Sequence, residues 1–186
     1  MIKKLLQAAI LVAGGLTLGG CPFQQQAQTA APANKPAAAD YQAPVPAAPA
    51  AGQIRGICYS DSDLTTFRSR MVQMELNVAT LQCQNPNGTR AYESAYASFL
   101  SKFQSELSSN ARALQQLART KRFNIDVVVT EFANRTAQRA PTDKEFCARA
   151  KRAFDWAMSP QVTSLAQVPP PYDLGPDMNV YACPPR

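Results

Sequence analysis

The side chains in this chain that could do chemistry are five cysteines and thirteen carboxylates, and no histidine accompanies them. That absence removes Ser-His-Asp and Cys-His nucleophilic sites and every histidine metal ligand. One hydrolytic route stays open to carboxylates alone, glycoside cleavage by two acids about 5 to 10 Å apart across a cleft. Its candidates are Glu75, Glu93, Glu106, Glu131 and Glu145. Glu131 has Arg135 one helical turn on as an ion-pair partner, and Glu145 completes a helix cap. Glu106 falls beside an apolar helix face and is the least accounted for. Cys58, Cys83, Cys147 and Cys183 lie far from metal-ligand spacing. The same region has only Gly56, Gly88 and Gly175, too few for a Gly-rich phosphate loop. These residues predict a non-catalytic protein that takes neither cofactor nor metal.

The fifth cysteine, Cys21, ends an export signal. Lys3 and Lys4 form a basic start, Leu5 to Leu18 an apolar run, and Gly19 and Gly20 the small residues before a cleavage point. A run of about 14 residues is too short to cross a ~30 Å hydrocarbon core as an untilted helix. Leu18-Gly19-Gly20-Cys21 resembles the lipobox of bacterial lipoproteins. That resemblance implies diacylglycerol on the Cys21 thiol, cleavage before Cys21, and a further acyl chain such as palmitate on the new amino terminus. Pro22 stands where an aspartate would favour inner-membrane retention, so the resemblance favours the outer membrane. An even number of remaining cysteines in an exported chain implies two disulfides, with three pairings open.

Composition divides the rest. Residues 1–20 are the signal, 21–55 the lipidated cysteine and a linker, and 56–186 a folded domain. Pro22 to Arg55 holds twelve Ala and six Pro. Such a stretch has too little bulky apolar surface to offset its ordering entropy and is expected to be a disordered, semi-stiff tether. Gly56 to Arg186 carries 15 Lys/Arg against 12 Asp/Glu, a modest excess. Its basic clusters, Arg119-Thr120-Lys121-Arg122 and Arg149-Ala150-Lys151-Arg152, read first as solvated helix faces. An exported protein is not expected to meet nucleic acid. Anionic lipid or lipopolysaccharide phosphates would be the natural partners of those clusters.

The elements that must position the cysteines and carboxylates are helical. Ser60 and Asp63 predict a capped helix to about Gln84, with Leu64, Phe67, Met71, Met74, Val78 and Leu81 on one stripe. Asn85-Pro86-Asn87-Gly88 ends it. A second helix is predicted from about Thr89 to Arg119, its broad face formed by Tyr92, Tyr96, Phe99, Leu100, Phe103, Leu107, Leu114 and Leu117. Asn110 continues the Tyr96–Phe103–Leu117 series and puts a polar group inside. It either fixes register, caps a break near Ser108-Ser109, or contacts a ligand. Phe123 to Arg139 has strand-forming residues but no second strand to pair with, which favours a helix. Thr142-Asp143-Lys144-Glu145 reads as a capping box opening a helix to about Met158, and Ser159-Pro160 as a short further turn. The tail from Pro169 carries Tyr172 and Tyr181 as exposed aromatics and is tied down at Cys183.

The expected fold is therefore all-α, an up-down bundle of about four helices. In that topology the end of the first helix meets the start of the fourth, so Cys83 should pair with Cys147, and Cys58 with Cys183. Leu81-Gln82-Cys83-Gln84, the Tyr96-Phe99-Phe103-Leu107 face and Phe146-Cys147 loosely resemble small disulfide-bridged helical lipoproteins of proteobacterial envelopes. That likeness implies an architecture and no activity. The functional expectation is a lipid-anchored envelope protein, joined to the membrane through Cys21, whose domain binds or supports another envelope protein. Lipopolysaccharide and peptidoglycan are further candidate partners. The alternatives are a small-molecule or lipid-binding module using the aromatic faces, and a carboxylate-dependent cell-wall glycan hydrolase.

Overall fold

A computed structural model of the chain describes residues 34–35, 58–169 and 180–184. The chain divides into two units, Met1–Ala30 and Ala31–Arg186, and the described residues all belong to the second. Cys21 and most of the Ala/Pro-rich linker lie outside them, as do Tyr172 and the middle of the tail.

Among the described residues there are five α-helices and two very short strands. In order they are β1 (Cys58–Tyr59), α1 (Asp61–Gln82), α2 (Glu93–Lys102), α3 (Gln104–Lys121), α4 (Ile125–Arg139), α5 (Phe146–Met158) and β2 (Tyr181–Ala182). A 3-10 turn, Leu165–Gln167, follows α5. The fold is mostly helical, as the sequence predicts, but the expected count of about four helices is one short.

Helix α1 starts as predicted: Asp63 N–H donates to Ser60 Oγ at 3.3 Å and Ser60 N–H to the Asp63 carboxylate at 3.0 Å. It is more central than a single stripe implies. Leu64, Phe67, Met71, Val72, Leu76, Val78 and Ala79 are all buried. The helix packs against α2, α3, α4 and α5. Leu81, placed on the inner stripe by its spacing, is 50% exposed. A helix enclosed on several sides buries residues around most of its circumference, so one stripe understates its core. Gly88, at φ +80°, closes the turn after α1 and donates its N–H to Asn85 O at 2.8 Å.

The single long helix predicted from Thr89 to Arg119 is two. The break falls at Phe103 (φ −104°, ψ 15°), not near Ser108-Ser109. Lys102 supplies the tertiary cause. Its Nζ donates to Ala157 O at 2.6 Å and Ser159 O at 2.9 Å, holding the end of α2 against the end of α5. Phe103 is buried at the corner, in a core with Val72, Leu76, Phe99, Leu107, Phe154 and Ala157.

The ambiguous segment is helical. Asn124 caps α4 by accepting from Asp126 N–H at 2.8 Å and Val127 N–H at 3.3 Å. Phe132 and Thr136 are buried, while Val127 is 62% exposed. The capping box predicted at Thr142 does not form. Thr142 Oγ1 instead donates to Arg139 O at 3.0 Å, and the Asp143 carboxylate accepts from Glu145 N–H at 3.0 Å. The Thr142 N–H goes to Arg139 O at 3.0 Å and the Glu145 N–H to Asp143, so both donors a box would have used are committed elsewhere, and α5 begins only at Phe146.

Strands β1 and β2 pair in parallel, Cys58 with Tyr181 and Tyr59 with Ala182. Tyr181 is therefore buried, correcting its expected exposure. Cys58 is bonded to Cys183 and Cys83 to Cys147, with Cα separations of 4.7 and 5.7 Å. One bridge stands at each end of α1. They span 125 and 64 residues of sequence, so each restrains a large part of the unfolded chain.

Candidate functional site

The glutamates are dispersed. Glu131 accepts from Arg135 Nε at 2.6 Å across one turn of α4. Glu106, on α3, accepts from Ser164 Oγ at 2.6 Å and Leu165 N–H at 2.8 Å, anchoring the 3-10 turn. The residue least accounted for in the sequence thus holds the chain after α5 in place. Beside it lies an open groove of about 650 Å³, lined by Lys102, Phe103, Ser105, Glu106, Pro160 and Thr163 among others. Among the described residues, no second acid lines that groove.

Glu75 has the most unusual environment. It sits on α1, only 2% exposed, and its Oε2 has no hydrogen-bond partner. Burial pushes its carboxyl up to about 8, against the opposing pull of Arg149 and Arg139. Arg149 is itself paired with Asp143. Glu75 is thus a neutral acid near pH 7, enclosed by the fold rather than facing a cleft. Its residue type marked it as a candidate; its burial by the packing of α1 against the other helices was invisible in the linear sequence.

The aromatic face of α2 and α3 is largely core. Phe99 and Phe103 are buried, with ring centroids 5.2 Å apart, and Tyr96 stacks on Phe99 at 6.1 Å. Tyr92 donates its hydroxyl to Cys147 O at 2.7 Å, beside the Cys83–Cys147 bridge. The basic clusters are partly consumed in the fold. Lys121 Nζ donates to Cys58 O at 2.9 Å and lies over the Tyr59 ring. Lys151 pairs with Asp155 at 2.7 Å and Arg149 with Asp143. Among the described residues no group of three or more His, Cys, Asp or Glu side chains could hold a metal ion. None of their helices is long and apolar enough to cross a membrane.

A polar seam that sequence reading resolved only in part runs between α1 and the α2–α3 corner. Asn110 is buried on α3 and donates Nδ2–H to Thr66 O of α1 at 2.9 Å, fixing the register of the two helices. Its Oδ1 is buried without a partner. One turn further along α1, Arg70 donates Nη1–H to Gln73 Oε1. Its Nε is also buried and unpartnered. Tyr96 of α2 lies near Gln73 and Arg70, and its hydroxyl is raised above its ordinary range chiefly by burial. The heptad position of Asn110 was the only sequence signal for this seam.

The chain matches no family model, and neither a curated protein nor a solved structure proves significantly similar to it.

Proposed function

We propose that this chain is a lipid-anchored protein of the bacterial cell envelope, its helical domain a non-catalytic module that binds or supports another envelope protein. The observation that carries the reading is the pairing of all four domain cysteines. A domain closed by two long-range bridges belongs in an oxidising compartment, the destination that the signal ending at Cys21 would give it. The signal, its lipidation and the preference for the outer membrane rest on Leu18 to Pro22, outside the described residues. Supporting a non-catalytic role, Glu131 and Glu106 are spent on an ion pair and a loop anchor.

Two measurements test this. Labelled palmitate should enter the native chain and be lost in Cys21→Ser; incorporation in both, or in neither, overturns the anchor. In-cell cross-linking of a C-terminally tagged chain, read by mass spectrometry, should recover one envelope protein in near-fixed ratio. Recovery of lipid or glycan with no protein partner would overturn the adaptor role. It would favour the second reading, a small-molecule or lipid-binding module, which the open groove beside Lys102 and Glu106 supports.

A further inference from the structure

Lys102 and Glu106 both line the open groove of about 650 Å³ at the α2–α3 corner. Among the described residues neither belongs to an ion pair, with the other or with any third group. Each charged head is nevertheless fixed by the fold. Lys102 Nζ donates to Ala157 O at 2.6 Å and Ser159 O at 2.9 Å. It also stands 5.1 Å from the centre of the Phe103 ring, a further wall of the groove. An ammonium has three donors, so one N–H is left over, and neither carbonyl brings a formal charge. Glu106 accepts from Ser164 Oγ at 2.6 Å through Oε1 and from Leu165 N–H at 2.8 Å through Oε2. Both donors are neutral, and a carboxylate offers about four acceptor positions, so two are left with the charge. Opposite charges held in one groove without meeting are preorganised for a ligand that carries the complementary pair. The volume lies in the range of small-ligand sites, about 300 to 1,000 Å³. Phe103, Pro160 and Val162 add apolar wall, and Thr163 a hydroxyl at the rim.

We propose that this groove binds a free α-amino acid with an apolar side chain. Lys102 takes its carboxylate, Glu106 takes its ammonium, and Phe103, Pro160 and Val162 face its side chain. A sugar fits less well, because hydroxyls alone leave both fixed charges without a counter-charge. A fatty acid would meet Lys102 but set its own carboxylate against that of Glu106. The inference rests on the small-molecule-binding reading and names its ligand. It is compatible with a protein partner elsewhere on the domain.

The test uses the full chain, both disulfides formed, in detergent at about pH 6, where an α-amino group keeps its charge. The backbone amide of Leu165, which donates to Glu106, is the local NMR reporter. Titrants are L-leucine, N-acetyl-leucine (no ammonium), leucinamide (no carboxylate) and glucose, against sodium chloride at matched ionic strength. Leucine should shift the reporter saturably and bind at least tenfold more tightly than either truncated form. Lys102→Met should weaken leucine at least tenfold and leave leucinamide unchanged. Glu106→Gln should weaken leucine to a similar degree and leave N-acetyl-leucine unchanged. A shift with leucine that does not saturate, or that chloride reproduces, overturns the site. Equal binding of leucine and a truncated form overturns the paired-charge assignment. A saturable shift with glucose and none with leucine overturns the amino acid while the small-molecule-binding reading stands. Unchanged leucine affinity in either variant removes that residue, and if a variant does not fold, the four titrations of the native chain decide.

Discussion

Two faces of α1 treat charge in opposite ways. On one, Glu75 is enclosed within reach of Arg149 and Arg139, an acid among arginines that is nevertheless held neutral. On the other, Arg70 is half-buried and, among the described residues, has no acid partner. The two residues are five positions apart, about 140° around the helix axis, so they cannot meet across it. The difference teaches that complementary charges on one helix neutralise each other only when they share a face. On the Glu75 face the desolvation cost exceeds what the Arg149 and Arg139 guanidinium groups return, and a proton resolves it. On the Arg70 face no proton can be released at ordinary pH, and Nε stays buried without a partner.

The largest expected effect breaks the frame behind the Glu75 face. Cys83 follows Glu75 by two turns of α1, and Cys147 precedes Arg149 by two residues. Replacing both with serine should cost about 2 to 5 kcal/mol in chemical denaturation. It should also loosen the enclosure of Glu75 and flatten the pH dependence described next. A double variant as stable as the native chain would show that the bridge is dispensable.

That pH dependence comes second. The unfolded chain releases the Glu75 proton near 4.5 and the folded chain only at about 8. Folding therefore takes up a proton between those values. The stability this provides is complete below the unfolded value and is lost as pH rises through the folded one. The total is on the order of 3 to 5 kcal/mol. Glu75→Gln should match the native chain at pH 4 and exceed its stability at pH 9. Parallel pH profiles for the two proteins would place the titration elsewhere.

Smaller effects sharpen the Arg70 face. Asn110→Ala removes the bond to Thr66 O and should cost about 1 kcal/mol in urea unfolding, with the register of α1 and α3 loosened. Arg70→Met keeps the packing of the aliphatic stem and discards an uncompensated charge, so its stability should stay within about 1 kcal/mol of native. A loss above about 2 kcal/mol would make Arg70 a structural residue and remove the contrast between the faces.

Much of this was legible in the chain. Ser60 and Asp63 announced the start of α1, Asn85 to Gly88 its end, and the order of helices pointed to which cysteines meet. The end of α2 was not legible, because its cause, the Lys102 bonds to Ala157 O and Ser159 O, lies 55 and 57 residues away. The cap at Thr142 fails although the local sequence matches the pattern, because Arg139 O holds the Thr142 N–H and Asp143 the Glu145 N–H. Of the polar seam, only the heptad position of Asn110 showed, since its other members acquire meaning from α2 and α3 closing over α1.

By itself, then, the sequence determined the helical class, the caps that agree with their surroundings and an arrangement of cysteines suited to two bridges. These depend on periodicity and on neighbours within a turn or two, which the chain carries locally. Tertiary structure alone decided that Glu75 is neutral, that Glu106 anchors a turn, and that Arg70 and Asn110 keep unmet polar atoms. Each of those outcomes depends on desolvation and on partners brought from distant segments, and burial exists only once the helices have packed.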